Sequence, residues 1–168
     1  KNTPPKSLLP PITAKTEGYR RKARIGVKFV PKKERVLVGF REKNSPYIAD
    51  MKVCHTLHPE LGKSLDALSQ LFLTLDSKSH IPQLEVAMGD KNTAIIVRHL
   101  SPLSENDLEQ CIRFFKARAW HLYLQPKGTE SIHRVYPTEG EERLQYSLPK
   151  YHLQFQFHPA QFTQINHE

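Results

Sequence analysis

The chain has 168 residues, which fits one domain with a modest core, and carries a formal net charge of +8. Its two cysteines, Cys54 and Cys111, are too few for a disulfide framework, and no stretch approaches the ~20 apolar residues of a membrane span. Without a recognisable export signal, this composition predicts a cytoplasmic protein that stays out of the membrane, and we expect a monomer.

The two ends of the chain differ from the part between them. Residues 1–17 contain four prolines and no periodicity, which predicts a linker or frayed terminus. The first residue is not methionine, and the sequence stops soon after an aromatic and amide-rich tail at residues 158–166. We expect a domain over residues 18–158, followed by a short segment over residues 159–168.

The basic charge is concentrated in the first quarter of the chain. Residues 1–43 hold thirteen Lys and Arg against three Glu, a net of +10, so the other 125 residues sum to −2. Such an asymmetry indicates a polyanionic partner on one side of the molecule.

The first predicted strand carries much of that charge. Residues 19–30 (YRRKARIGVKFV) alternate, so that one face of a strand would present apolar side chains and the other cations. The predicted apolar face consists of Ala23, Ile25, Val27 and Phe29, and the predicted basic face of Arg20, Lys22, Arg24 and Lys28. A turn at residues 31–34 leads to a second strand over residues 35–43, which adds Arg41 and Lys43. The alternative is an ordinary solvated strand whose lysines discourage aggregation.

Alternating helices and strands follow in chain order. A short strand is predicted at residues 48–53, a helix with a leucine stripe at 59–75, and a hairpin at 83–88 and 93–98. Ser104 is placed to cap a second helix at 104–119, and further strands are predicted at 120–124, 143–148 and 151–157. The order hairpin, helix, hairpin, helix, strands predicts an α+β fold, with two helices packed on one face of an antiparallel sheet.

The tail and one cysteine are the remaining candidates for chemistry. Phe162 offers a flat apolar face, and Gln164 and Asn166 offer amides, which together suit a nucleobase pocket. Cys54 lacks any metal-ligand spacing with Cys111, and a lone cysteine is commonly a small buried hydrophobe. We find no nucleophile–base pair and no phosphate-binding glycine loop.

Five short blocks, in order along the chain, resemble one family. They are GYRRKARI at 18–25, VGFR at 38–41, DMKVC at 50–54, HLSPLS at 99–104 and FTQIN at 162–166. The blocks are similar to those of the bacterial iron–sulfur 23S ribosomal RNA uracil-5-methyltransferases. The resemblance implies that the chain is a piece of a larger protein, namely the central α+β domain of such an enzyme, with residues 159–168 as the truncated start of the connection to the catalytic domain. In this family the central domain lies between an OB-fold RNA-binding domain and a catalytic domain that binds S-adenosylmethionine and makes 5-methyluridine.

The resemblance also implies roles for individual residues. Cys54 would be one ligand of a 4Fe-4S cluster, and Gln164 would contact S-adenosylmethionine. Phe162, Gln164 and Asn166 would border the pocket of the flipped uracil. The residues expected to contact 23S ribosomal RNA are Arg20, Arg21, Lys22, Arg24, Lys28, Arg41 and Lys43. The chain alone would be inactive and would bind neither cofactor.

Two alternatives stay open. A non-enzymatic RNA-binding module would use the same basic hairpin and would not need the tail. The related transfer-RNA uracil-5-methyltransferases have no cluster, and the D-x-K-x-C context of Cys54 argues against them.

Overall fold

The computed structural model describes residues 3–166, and within that range the chain forms an α+β fold, as the sequence predicts. The strands are β1 Lys22–Val30, β2 Arg35–Gly39, β3 Gln83–Met88, β4 Thr93–Arg98, β5 Trp120–Gln125, β6 His133–Tyr136, β7 Leu144–Leu148 and β8 Leu153–Phe157. The helices are α1 Pro59–Gly62, α2 Leu65–Thr74 and α3 Glu105–Lys116. Residues 3–17 contain no helix or strand and are exposed.

The main sheet has six strands in the order β2-β1-β3-β4-β5-β6. The β1–β2 and β3–β4 hairpins are antiparallel, as the sequence predicts, but β4 and β5 pair in parallel, so the prediction of a purely antiparallel sheet is wrong at this point. The cause is α3, which carries the chain back across the sheet between β4 and β5 and thereby makes the crossover that parallel neighbours need.

The helices and one face of this sheet form the main core. Buried side chains of α2 and α3, among them Phe72 and Phe115, share one cluster with Ile25 and Val27 of β1. The predicted helix over residues 59–75 is two helices, because the chain leaves helical geometry at Ser64, whose hydroxyl donates to the carbonyl of Glu60 at 2.7 Å. No helix among residues 3–166 has the length and apolar character needed to span a membrane.

The last two strands do not extend the main sheet. β7 and β8 pair only with each other and pack across the sheet face that lies opposite the helices. There Leu144 and Phe157 enclose a second, smaller core with Ile96 and Tyr123. Two other predictions need correction: residues 48–53 form no strand beyond a single bridge between Arg41 and Ile48, and β6 was not predicted.

Candidate nucleic-acid interface

The alternation predicted for β1 is present. Ala23, Ile25 and Val27 are buried in the main core, whereas Arg24 and Lys28 are exposed on the opposite face of the sheet. Arg24 binds the Glu85 carboxylate of the neighbouring strand at 2.8 Å, and 69% of its side chain stays exposed. The strand therefore presents a basic surface whose charge at Arg24 is partly balanced by a neighbour.

Lys22 differs from these two cations because it makes an internal contact. Its ammonium donates a hydrogen bond to the carbonyl oxygen of Pro159, which ties the C-terminal segment to the first strand. Burial lowers the pKa of Lys22, an effect that Glu85 opposes and Arg24 reinforces. The structure thus gives Lys22 a positioning contact that the strand pattern did not reveal.

Arg20 and Arg21 lie just before β1, and their backbones contact the C-terminal tail. The backbone of Arg20 forms isolated bridges with Leu57 and Asn166, and the N–H of Arg21 donates to the carbonyl of Ile165 at 2.9 Å. The Arg21 guanidinium donates to the carbonyl of Gly89 at 3.2 Å and lies 3.6 Å from Asp90. Residues that are about 145 positions apart in the chain are therefore neighbours here.

Beside this junction lies a cavity of about 290 Å³. Its lining consists of Arg21, Met88, Tyr146, Leu148, Phe157, Thr163, Gln164 and Asn166. Two of the three predicted pocket residues, Gln164 and Asn166, thus meet at one cavity. Phe162 is not among the lining residues, and its side chain is 83% exposed.

The tail begins with a turn at residues 158–161, which is stabilised by short-range contacts. The His158 ring packs edge-on against Tyr123, with ring centroids 5.7 Å apart, and burial lowers the pKa of this histidine. The backbone N–H of Ala160 donates to His158 Nδ1 at 3.2 Å, and the N–H of His158 donates to the Gln161 side-chain oxygen at 2.8 Å. The tail therefore leaves the sheet from a fixed point, with Phe162 projecting into solvent.

The other two cations predicted to contact RNA follow β2. Arg41 and Lys43 lie just beyond the end of β2 and are exposed. Tyr47, which the sequence interpretation did not select, is 71% exposed, and its carbonyl accepts the N–H of Glu42 at 3.0 Å. The available signal was an aromatic residue after Pro46 in a segment rich in cations.

Cys54 lies in the loop that precedes α1. It is half-buried at the edge of the main core, and its N–H donates to the carbonyl of Gly62 at 3.0 Å. Cys111 is fully buried in α3, away from the surface. Within residues 3–166, no group of three or more His, Cys, Asp or Glu side chains is arranged to hold a metal ion.

Comparison with known proteins gives strong similarity along nearly the whole chain. No protein-family model matches it. It is 46% identical over 164 residues to the 23S rRNA (uracil(1939)-C(5))-methyltransferase RlmD of Alcanivorax borkumensis, covering 98% of this chain and 37% of that protein. It is 45% identical over 180 residues to the protein of the same name from Psychrobacter arcticus, covering 98% of this chain and 35% of the relative. The chain therefore spans about a third of the length of these relatives.

A solved structure shares the fold. The crystal structure of the Pyrococcus abyssi tRNA (uracil-54, C5)-methyltransferase, in complex with S-adenosyl-L-homocysteine, superposes with a TM-score of 0.61 at 15% identity. The match covers 90% of this chain and 38% of that one. At this identity the likeness concerns the fold alone.

Proposed function

We propose that this chain is one part of an S-adenosylmethionine-dependent methyltransferase that forms 5-methyluridine in 23S ribosomal RNA. The observation that carries the proposal is the 46% identity to a 23S rRNA uracil-C5-methyltransferase over 98% of the chain. In this proposal residues 1–17 are a linker and residues 18–158 the central domain. Residues 159–168, of which 167 and 168 lie outside the described range, begin the connection to the catalytic domain.

The RNA-contacting surface is proposed along the β1–β2 hairpin. Its residues would be Arg20, Arg21, Lys22, Arg24, Lys28, Arg41 and Lys43. Support comes from the exposure of Arg24, Lys28, Arg41 and Lys43, since cations accessible to solvent are free to approach phosphates. Arg21 and Lys22 already contact the loop at Gly89 and the segment at Pro159, so we propose that they also hold the tail beside the RNA.

The tail is proposed to border the active site. Gln164 would contact S-adenosylmethionine, which supplies the methyl group, and Phe162, Gln164 and Asn166 would border the pocket of the target uracil. Support comes from the cavity shared by Gln164, Asn166 and Arg21, and from the exposed ring of Phe162, which is available for stacking on a base that has left its helix. The nucleophile and the base for this chemistry would lie outside residues 3–166.

An iron–sulfur cluster fits this chain only in part. A 4Fe-4S cluster is commonly held by four cysteine thiolates, and the described residues offer one accessible cysteine, Cys54, together with Cys111 enclosed in the core. These residues do not make a cluster site by themselves. We propose Cys54 as a single ligand, supported by its half-buried position in the loop before α1, where its side chain is still partly exposed.

A non-enzymatic RNA-binding module is the second candidate. The observation that favours it is that the exposed cations lie on or beside the hairpin. These cations would bind RNA without any contribution from the tail. A transfer-RNA substrate is supported less, because the tRNA methyltransferase shares the fold at only 15% identity. In either case the expected partner is RNA in the cytoplasm, bound by a monomer.

The test uses the full-length protein and 23S ribosomal RNA tritiated at uracil C5. Methylation replaces the hydrogen at C5, so tritium must appear in water. We expect release by the wild type and at least a 10-fold lower rate for Gln164→Ala, with Gln154→Ala on β8 as an exposed glutamine control. Absence of release by a wild-type protein that still binds the RNA would contradict the methyltransferase and leave the binding module.

A further inference from the structure

A large groove lies on the basic face of the β1–β2 hairpin, away from the tail. Its volume is about 990 Å³. Gly26 of β1 lies at its floor, Leu37 and Gln83 flank it from the two neighbouring strands, and residues 46–48 form the far wall. It shares no lining residue with the cavity beside Gln164.

Two glycines make room for that far wall. A Cβ on Gly26 would lie 2.6 Å from the Ile48 Cδ1 atom, and a Cβ on Gly39 would lie 2.8 Å from the carbonyl oxygen of Ala49. The N–H of Ala49 donates to the carbonyl of Phe40 at 2.9 Å, and the N–H of Glu42 to that of Tyr47 at 3.0 Å. The wall is thus fixed to the hairpin by backbone hydrogen bonds, and the groove is a built feature of this fold.

The lining has the chemistry of a site for single-stranded nucleic acid. Lys28 and Arg41 supply positive charge, together with Arg24, whose guanidinium is partly balanced by Glu85 at 2.8 Å; no Asp or Glu is among the lining residues themselves. Tyr47 offers an aromatic ring that is 71% exposed, next to apolar surface from Ile48 and the neighbouring prolines. Proteins bind unpaired nucleotides by stacking bases on aromatic rings while cations track the phosphates. A duplex would meet the cations but has no free base for the apolar wall.

We propose that this groove binds an unpaired nucleotide of the RNA, with its base against Tyr47 and the adjoining phosphates on Arg24, Lys28 and Arg41. The proposal rests on the proposed function only in taking RNA as the partner. It is a second contact, distinct from the uracil pocket, because the groove and the cavity share no lining residue.

The experiment compares single-stranded and duplex RNA on the full-length protein. Fluorescence anisotropy would follow a short fluorescein-labelled RNA alone and annealed to its complement. We expect Tyr47→Ala to weaken single-strand binding about 5- to 100-fold, the range for one base stacked on an aromatic ring, and to leave the duplex affinity unchanged. The salt slope should also stay the same, because the phenol ring releases no counterions.

Two variants serve as controls. Tyr47→Phe keeps the ring and should bind like the wild type. Tyr151→Ala removes another exposed ring, one that is 62% exposed with the Lys150 ammonium 5.6 Å from its centroid, and it should have no effect. Unchanged single-strand affinity for Tyr47→Ala, or an equal loss for duplex RNA, would overturn the proposal.

A second measurement excludes a protein segment as the occupant. The indole introduced by Tyr47→Trp should be quenched by iodide without RNA and protected when single-stranded RNA is bound. Subtracting the quenching of the wild-type protein under the same conditions removes the signal of every other tryptophan, including Trp120, which is only 1% exposed. Protection before RNA is added would mean that another part of the protein fills the groove, which also overturns the proposal. Tritium release is measured separately from RNA binding. If the groove binds single-stranded RNA but the protein releases no tritium, the proposed methyltransferase function is contradicted and the groove proposal is not.

Discussion

Asp107 connects two helices through its backbone and its side chain. Its N–H donates to the Ser104 hydroxyl at 3.1 Å, which caps α3 as the sequence predicts. Its carboxylate is fully buried and accepts the backbone N–H groups of Asp76 and Ser77 at 2.8 and 3.0 Å. Asp107 therefore stabilises the start of α3 and also binds the chain just after α2.

Asp107→Ala should lower the free energy of unfolding by about 3 kcal/mol, because the buried N–H of Ser77 and the partly buried N–H of Asp76 lose a charged acceptor. Urea denaturation followed by circular dichroism would measure it. Glu109→Ala removes an exposed carboxylate from the same helix and should change stability by less than about 0.5 kcal/mol. Equal effects of the two variants would mean that the Asp107 contacts contribute nothing specific.

The two cysteines should react very differently. Burial, assisted by the nearby Asp107 charge, raises the pKa of the Cys111 thiol to about 12, so its thiolate is scarce at neutral pH. We expect iodoacetamide to modify the half-buried Cys54 in the folded 168-residue chain and to reach Cys111 only after denaturation. Mass spectrometry of the peptides would show this, and rapid native labelling of Cys111 would contradict the packing of α3.

The turn into the helices depends on one glycine at the end of α1. A Cβ on Gly62 would lie 2.2 Å from the carbonyl oxygen of Cys54, and backbone cannot yield as a flexible side chain can. Gly62→Ala should therefore destabilise the protein by about 3 kcal/mol and displace the Cys54 loop. Thermal unfolding would measure the change, with the exposed neighbour substitution Lys63→Ala as control. Wild-type stability of Gly62→Ala would show that the loop adapts freely.

The exposed cations on and beside the β1–β2 hairpin should contribute measurably to the salt dependence of RNA binding. The variant with Lys28→Ala and Arg41→Ala loses two phosphate contacts. For single-stranded RNA, the slope of the logarithm of the binding constant against the logarithm of the salt concentration should therefore become smaller in magnitude by about 1.4, at ~0.7 for each phosphate. Arg113→Ala with Lys116→Ala removes the same charge from exposed positions on α3, on the other side of the sheet. The slope should stay at the wild-type value for this pair, and identical slopes for both pairs would contradict a localised RNA face.

Some strands and turns could be predicted from the sequence because the residue pattern that specifies each of them lies within the element itself. The alternation in β1, the turn at residues 31–34 and the apolar run of β4 each specify their structure within a few residues. The parallel pairing of β4 and β5 was also within reach, since a strand, a helix and a strand in succession favour a crossover. The separate sheet of β7 and β8 was not, because alternation within a strand does not identify its partner.

The candidate site was predicted less completely, for the same reason. The cations of β1 are evident from the sequence, but the approach of Asn166 to Arg20 joins residues from opposite ends of the chain. The groove depends on the missing side chains of Gly26 and Gly39, which admit a segment whose path the sequence does not reveal. Tyr47 gains its proposed role only from that path.

Taken as a whole, the molecule has a sheet with two unlike faces. The helices cover one face over its main core, while the other carries the small β7–β8 sheet at one end and the basic groove at the other. Arg24 and Lys28, two exposed cations from this basic part of the chain, are therefore presented on the side of β1 away from α2 and α3. This arrangement predicts a single RNA face.

Ultraviolet cross-linking of the full-length protein to 23S ribosomal RNA, followed by peptide mapping, tests that claim most directly. We expect cross-linked peptides from residues 20–48, including Tyr47, and from the tail around Phe162, with none from α2 or α3. Cross-links confined to α2 and α3, with residues 20–48 unmodified, would contradict it.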